Sequence, residues 1–536
     1  MSTDITFNKE GREKLKKGID KVANAVKVTL GGAGRNVVID GFPFPHVTKD
    51  GVTVAESIEL EDSIEDMGAR LIKQVARKTA NDSGDGTSST CVLAQGIIKN
   101  GLEAVKNGAN PIEIKKGIDK AVNEIIKVLQ TKSQDISANY EILKQVATIS
   151  ANGDDEIGHI VADVVSKVKL EGQVTVEDSL TGQTYTDIVE GTKVMSGYIN
   201  PYHITNQDKM RAEYKDAVVF LYDGDLTTHI QIKPIMEAYD KLQTNAPMVI
   251  FASGLDGEAR SFFTINKVKG QLQSLPIRLN GTPFDKGEVL KDIQSVTGGS
   301  IIQEKTGLML KDFTPEMFGK LDMIISDEEK TIITRADNKI QERVEQLKEQ
   351  LKEFDDNLIK QALLKGRIAR LTGGVAVIYI GGKTDAEIRE KKDRVDDAVG
   401  ATMAAIEEGV IAGGGVALFR AKSLVPKIDL SNKDQKIGWN IVFKSLDAPI
   451  KQILTNGGYY DKKVLGIFNT GKQREVLNAI SNNPFNFGFD IKKEVLCDMV
   501  EKGIIDPFKV VRNSLENSAS IAGLILTTES VINKGK

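Results

Sequence analysis

Both ends of this chain carry apolar residues at helical spacing, and its middle does not. Near the start, Leu15, Ile19, Val22 and Val26 share one helical face and stop at the glycines of TLGGAGRNVVID, which predicts a helix, a tight turn and a strand ending near Asp40. The KDG turn in GFPFPHVTKDGVTVAESI leads into another helical pattern with Met67, Leu71 and Val75 together, and Asn110 stands where it can cap a helix whose first turn holds Pro111. Beyond about residue 132, short alternating pieces such as QVTVEDS, DAVVFLY, PMVIFAS and IIQEK mix with helical ones in an α/β texture. Ile340, Val344, Leu347, Leu351 and Phe354 then repeat at intervals of four and three in highly charged sequence, which predicts a long helix or a helical hairpin protruding from the body. LTGGVAVIYIGG reads as a glycine-bounded strand, Val395, Val399 and Ile406 mark a helix ending at EEGVIAGGG, and the rest is again mostly helical. The simplest arrangement is one helical domain made from both termini with the middle inserted into it.

A chain of 536 residues is too long for a single hydrophobic core, and its 40% of hydrophobic residues can fill roughly two to four domains. The formal charge of -4, from 71 basic and 75 acidic residues, argues against a broad nucleic-acid footprint and leaves room for a local anion site. Cys91 and Cys497 stand far apart without a CxxC arrangement, so they are expected to be inert thiols rather than a disulfide scaffold or a zinc knuckle. Neither a signal peptide nor a membrane-length apolar run is present, and a soluble cytoplasmic protein with no membrane and no nucleic-acid partner is expected.

Residues 81–90, NDSGDGTSST, stand directly ahead of the apolar run CVLAQGII. Glycines let backbone amides face a ligand, and the start of the following helix adds unpaired donors and a positive dipole end, so the run from Gly84 to Thr90 has the form of a phosphate-binding turn. It lacks the lysine of a P-loop and the spacing of a dinucleotide fingerprint. Asp85 amid these donors would repel phosphate by itself, and becomes intelligible as a ligand to Mg2+ bridging the phosphates. The same run reads equally as an Asx turn with a serine-rich cap. Thr29-Leu30-Gly31-Gly32-Ala33-Gly34-Arg35 offers a second glycine element, and Lys49-Asp50-Gly51 an acid in a turn. Asp397 in RVDDAVG is an acid on the helix before Gly413-Gly414-Gly415. Each alone has an ordinary structural reading. Together, one carboxylate can hold a metal while another positions water for attack on a terminal phosphate.

Taken jointly, TLGGAGRNVVID, TKDGVTVAESIELED, NDSGDGTSSTCVLAQ, RIARLTGGVAVIYIG, KKDRVDDAVGATMAAIEEGVIAGGGVAL and GIIDPFKVVRNSLENSASIAGLILTTE stand in an order that resembles the large subunit of a group I chaperonin, from about residue 3 to about 530. The resemblance implies an α+β multidomain chaperonin fold: a mainly helical equatorial ATP-binding domain at 1–131 and 409–536, a small α/β intermediate hinge domain at 132–190 and 376–408, and an α/β apical domain at 191–375 that binds substrate and co-chaperonin. It implies an ATP-driven chaperone that captures non-native proteins and encloses them in a ring cavity, using ATP and Mg2+, with K+ as a further candidate ion. It also implies a homo-oligomer of two stacked seven-membered rings, a small co-chaperonin ring, and unfolded or partly folded proteins as clients.

By the same resemblance Asp50 and Asp397 are the hydrolytic acids, Asp85 is the magnesium ligand, and Thr87, Ser88 and Ser89 are phosphate-contacting hydroxyls. Thr29, Leu30, Gly31, Lys49, Gly51 and Gly86 match further nucleotide contacts; Gly414 and Asp506 match contacts to the nucleoside end, and Asp490 stands beside the base where an asparagine is common. Gly32 and Ala33 replace the usual proline and lysine, which bears on nucleotide affinity. On the client-binding face Tyr198, Ile199, Tyr202, Ile235, Met236 and Ile265 keep an apolar character, while Arg260 and Thr264 within the same set, and Lys233, replace apolar groups, and His203 replaces an aromatic. Charges there should narrow or redirect the partners, so a ring-forming assembly or binding protein with few clients is the alternative function.

Overall fold

The computed structural model describes residues 3–41, 45–136, 139–168, 173–179, 182–189, 191–207, 210–303, 305, 307–335, 339–353, 358–372, 375–426, 428, 430, 432–460, 463–464, 467–468 and 471–534. Phe354, the last member of the charged repeat, lies outside them. The chain divides into two compact units, one of Met1–Ser166, Leu180–Gln183 and Ile380–Lys536, the other of Lys167–Ser179 and Thr184–Tyr379.

In the first unit the opening amphipathic pattern forms the helix Asn8–Val26, with Leu15, Ile19, Val22 and Val26 buried. It shares one core with Ser63–Ser83, Thr87–Lys106 and Pro111–Gln130 from the same end of the chain and with Lys433–Ser445 and Phe508–Thr527 from the other. Ile72, Leu93, Ile118, Val442 and Leu515 all belong to that single apolar cluster. Each such side chain contributes about 1.5–3 kcal/mol on full burial, so the unit depends on residues from both ends. Asn110 caps the Pro111–Gln130 helix as its position suggests, accepting from the Ile112 amide at 2.9 Å. The strands Thr3–Phe7 and Ser530–Lys534 pair antiparallel, with Ile5 opposite Ile532.

A second cluster in this unit joins Leu143 and Val146 of the helix Tyr140–Ser150 to Ala401 and Ala405 of the helix Asp385–Glu408. The strand Val410–Ala412 pairs antiparallel with Ile505–Pro507, Ile411 opposite Asp506, and this pairing fixes where the glycine triplet begins.

The second unit is built on a seven-stranded sheet. Ala212–Leu226, Met248–Leu255 and Ser274–Arg278 run parallel, and the helices His229–Lys241 and Gly257–Val268 are the crossovers between them. Gly319–Ser326, Thr331–Thr334 and Gly191–Val194 extend the sheet antiparallel. The near-continuous apolar run in Ala212–Leu226 follows from burial on both faces: Val219 and Leu221 enter one core, Phe220 and Tyr222 the other. A separate three-stranded sheet orders Gln173–Asp178, Val375–Ile380 and Tyr185–Val189.

The charged repeat forms the helix Ile340–Glu353, followed by Leu358–Thr372. The expected protrusion is not what these helices do. Ile340, Val344 and Leu347 are buried with Leu364 and Leu371 in the core that contains Val296 and Ile324. Spacing of three and four makes an apolar stripe, and the unit's own body covers it. Arg343 and Arg367 on the two helices clasp Glu288 and Asp292 of the helix Pro283–Thr297 with N–O distances from 2.6 to 3.0 Å.

Candidate functional site

The polar run at 81–90 is a junction between two helices. Ser63–Ser83 ends at Gly84, whose left-handed φ of 73° lets its amide return to Ala80 O, and Gly86, at φ 94°, opens Thr87–Lys106. Asp85 between them accepts from the Gly86 amide and, at 3.1 Å, from Ser150 Oγ. The helix Phe508–Thr527 grips the junction from behind: Asn513 Nδ2 donates to Ser83 Oγ at 3.1 Å, Ser514 Oγ to Gly86 O at 3.3 Å, Asn517 Nδ2 to Thr79 Oγ1 at 3.0 Å and Ser518 Oγ to Thr90 O at 2.9 Å. Sequence reasoning passed over these four. Their signal was a polar stripe on an otherwise apolar helix, since buried polar side chains require partners.

Thr29, Leu30, Gly31, Lys49, Asp50, Gly51, Asp85, Gly86, Thr87, Ser88, Ser89, Asp397, Gly414, Asp490 and Asp506 all line one cleft of about 710 Å³ in the first unit. That volume suits a ligand of nucleotide size. Thr29 Oγ1 lies 3.0 Å from Ser88 Oγ, which ties the first glycine turn to the helix start. Asp50 also caps the helix Gly51–Glu56, accepting from the amides of Val52 at 3.1 Å and Thr53 at 2.6 Å. Asp490 closes its own hairpin by accepting from the amides of Lys492 and Lys493 at 2.9 and 3.2 Å. Thr148, Ser150 and Arg394 line the cleft as well, Arg394 paired with Asp154 at 2.7 Å; their helices are locally ordinary, so nothing in the sequence marked them.

Burial dominates the electrostatics. It pushes the Asp397 carboxyl well above the usual range, and the charges of Asp50, Asp85, Asp393 and Asp396 push further. Asp85 is raised by burial and by Asp50, against the pull of the Gly86 amide and the Ser150 hydroxyl. Asp506 reaches about 7 through burial and the charge of Asp85, opposed by the Gly414 amide. Acids that raise one another's proton affinity are stabilised by a cation placed among them. Among the described residues no group of three His, Cys, Asp or Glu side chains forms a metal cage. The oxygen donors fit a hard ion held by one carboxylate together with ligand oxygens, the mode usual for Mg2+ on phosphates.

The expected client face lies in the second unit, on the helices His229–Lys241 and Gly257–Val268 and the segment before them. Tyr202 and Ile265 are exposed, and Ile199 and Met236 are half-buried. Ile235 corrects the expectation: it has no exposed surface and packs with Phe220 and Phe263, because Ile232, Ile235 and Ala238 form the face turned to the sheet. Tyr198 is buried too, and His203 is turned inward, its Nδ1 2.9 Å from Ser274 O and its ring pushed down to about 4 by burial. Ile230 and Val268, 71% and 64% exposed, belong to the outward face and were missed, although the phase of each helix carries them outward. Lys233 is exposed and lies 3.8 Å from Glu237; Arg260 is exposed, donates to Ile199 O at 3.3 Å and lies 3.9 Å from Asp256. Thr264 accepts from Asn200 Nδ2 at 2.9 Å and donates to Arg260 O at 2.8 Å.

A nucleotide-sized cleft assembled from both chain ends, with a whole α/β unit inserted in the sequence between them, is chaperonin architecture, and the class is that of ATP-driven molecular chaperones. The chain belongs to the TCP-1/cpn60 chaperonin family, whose profile matches residues 22–536. Two crystal structures of the chaperonin gp146 from bacteriophage EL 2 (Pseudomonas aeruginosa), both in the presence of ATP-BeFx, are similar to it over 99% of each chain at 21% identity, with TM-scores of 0.69 and 0.63. That likeness carries the fold over nearly the whole chain. No helix among the described residues is long and apolar enough to cross a membrane. Cys91 and Cys497 are buried and unpaired, and burial pushes the Cys91 thiol up to about 12.

Proposed function

We propose that this chain hydrolyses ATP with Mg2+ in the cleft of its first unit and uses the cycle to capture and enclose non-native proteins. The observation that carries the reading is the convergence of Asp50, Asp85 and Asp397 beside the hydroxyl-bearing start of Thr87–Lys106. Asp85 would hold the ion, whose charge offsets that of the phosphates when bound. Thr87, Ser88 and Ser89, with Thr29, Leu30, Gly31, Lys49, Gly51 and Gly86, orient the phosphate chain; Gly414 and Asp506 meet the nucleoside and Asp490 the base. Asp397 and Asp50 position the attacking water and take its proton, and a buried carboxyl of raised proton affinity is the stronger base for that purpose.

In the same reading 1–131 with 409–536 is the equatorial part, 132–190 with 376–408 the hinge and 191–375 the apical part. The chains assemble as two stacked seven-membered rings in the cytoplasm, with a small co-chaperonin ring and with K+ as a second counter-ion. Tyr202, Ile265, Ile230 and Val268 supply the apolar surface that meets clients. A narrower client range is the second reading, favoured by the exposed charges of Lys233 and Arg260 on that surface. The test is Asp397→Ala: ATP should bind within about threefold of the parent while turnover falls by roughly 10²–10⁴, because the lost contact is made in the transition state. Unchanged turnover overturns the assignment.

A further inference from the structure

Gly84 at the phosphate loop and Gly400 in the helix Asp385–Glu408 meet backbone to backbone. A Cβ on Gly400 would stand 2.4 Å from Gly84 Cα, and one on Gly84 would stand 2.3 Å from Gly400 Cα. Real Cβ atoms essentially never come so close, and the atoms in the way are main chain, with no side chain to swing aside. Gly84 has its own reason to be glycine, the left-handed φ of 73°. Gly400 has none: it lies inside a 24-residue helix and is not among the glycines of positive φ, at a place where alanine would favour the helix. What the absent side chain provides there is the close approach. Asp397 sits three residues, almost one turn, before Gly400, and Asp85 directly follows Gly84.

We propose that Gly400 is a positioning residue for hydrolysis: its missing side chain lets the Asp397 helix seat directly on the phosphate loop, and this backbone contact fixes how far Asp397 reaches toward the terminal phosphate. The proposal rests on Asp397 being the hydrolytic acid. Ordinary contact begins at 3.4 Å, so a methyl group at 400 must hold the helix off the loop by about 1 Å. A displacement of that size at a reacting centre costs on the order of a hundredfold in rate. The phosphate-binding atoms on the loop, and the glycine turns across the cleft, stay where they are.

The experiment measures ATP affinity, single-turnover hydrolysis and thermal melting for the full chain carrying Gly400→Ala, Asp397→Ala and both. Gly400→Ala should keep ATP affinity within about threefold and melt cooperatively, lower than the parent by no more than a few degrees, yet hydrolyse about a hundredfold more slowly. In the double variant Gly400→Ala should add nothing to the defect of Asp397→Ala, because it acts through that carboxyl. If Asp397→Ala alone hydrolyses normally, the functional reading of the cleft fails. If Asp397→Ala is slow but Gly400→Ala turns over like the parent, the functional reading stands and the positioning proposal is overturned. A lowered melting temperature with intact turnover, or a full extra loss in the double variant, assigns the contact to packing and overturns it too.

Discussion

Asp506 shows how one carboxyl becomes a pH-dependent stability element. Its strand pairs with Val410–Ala412, which holds the side chain in the wall of the cleft where burial pushes it up to about 7. The folded state therefore keeps a proton that the unfolded chain releases. The stability tied to it is complete below the unfolded value near 3.8 and is lost as pH rises to about 7, after which it is level. Asp85 and Asp397 shift in the same direction. In nucleotide-free protein, Asp506→Asn should gain on the parent in melting temperature as pH rises from about 4 to 7, with a constant gap beyond. A gap that does not vary with pH would show that the carboxyl is solvated. The sequence placed Asp506 among the cleft residues only through the resemblance, and its proton affinity was not legible at all, since that depends on the burial given by a strand nearly a hundred residues away and on the charge of Asp85. For the same reason the structural parts played by Asp50 and Asp490, capping a helix and closing a hairpin, emerge only from the folded backbone.

Helices are where sequence pattern served best and destination worst. The stripe Ile340, Val344, Leu347 announced a helix with one apolar face, but not that this face would be buried, with the following helix Leu358–Thr372, in the core that also holds Val296 and Ile324, which no local pattern names. The same packing buries the clasp of Arg343 and Arg367 on Glu288 and Asp292. Burial would push Glu288 up, but hydrogen bonds and charges from Lys291 and Arg367 outweigh it and hold the carboxyl down at about 2. Its contribution is present above the ordinary glutamate value of 4.5 and is lost as pH falls toward about 2. Removing one member of a buried pair typically costs about 3–5 kcal/mol, because the partners keep their charge without their water. Arg367→Met should thus destabilise the second unit by that order in urea denaturation, and lose less relative to the parent in acid. A loss under about 1 kcal/mol would show that Arg343 alone satisfies both acids.

Across the whole molecule, the likeness of the two chain ends was legible because the helical pattern is strong at each, and the residues that line the cleft of the first unit were legible because glycines and acids carry meaning locally. The face expected to meet clients was named by the resemblance, but helix phase decided that Ile235 turns inward while Ile230 and Val268 turn outward. Lys233 and Arg260 each have an acid nearby, so exposed pairs of this kind do little to attract acidic clients and act mainly by interrupting apolar surface. Leucine at both positions should therefore broaden capture of a neutral unfolded protein, and the gain should survive high salt, where a long-range charge effect is screened. Capture that is unchanged across a salt series would leave the two charges as solubilising decoration. Because Leu93 and Leu515 share one core, a ribosome that has finished Pro111–Gln130 has released helices that can pack on one another but whose shared core stays incomplete until Phe508–Thr527 follows. At about 5–20 residues per second that interval lasts roughly 20–80 s. The inserted unit has every strand of its large sheet well before then. Each new copy thus passes this interval with the strands of its inserted unit made and the apolar core of its first unit incompletely covered, in the condition that chaperones of this kind exist to relieve.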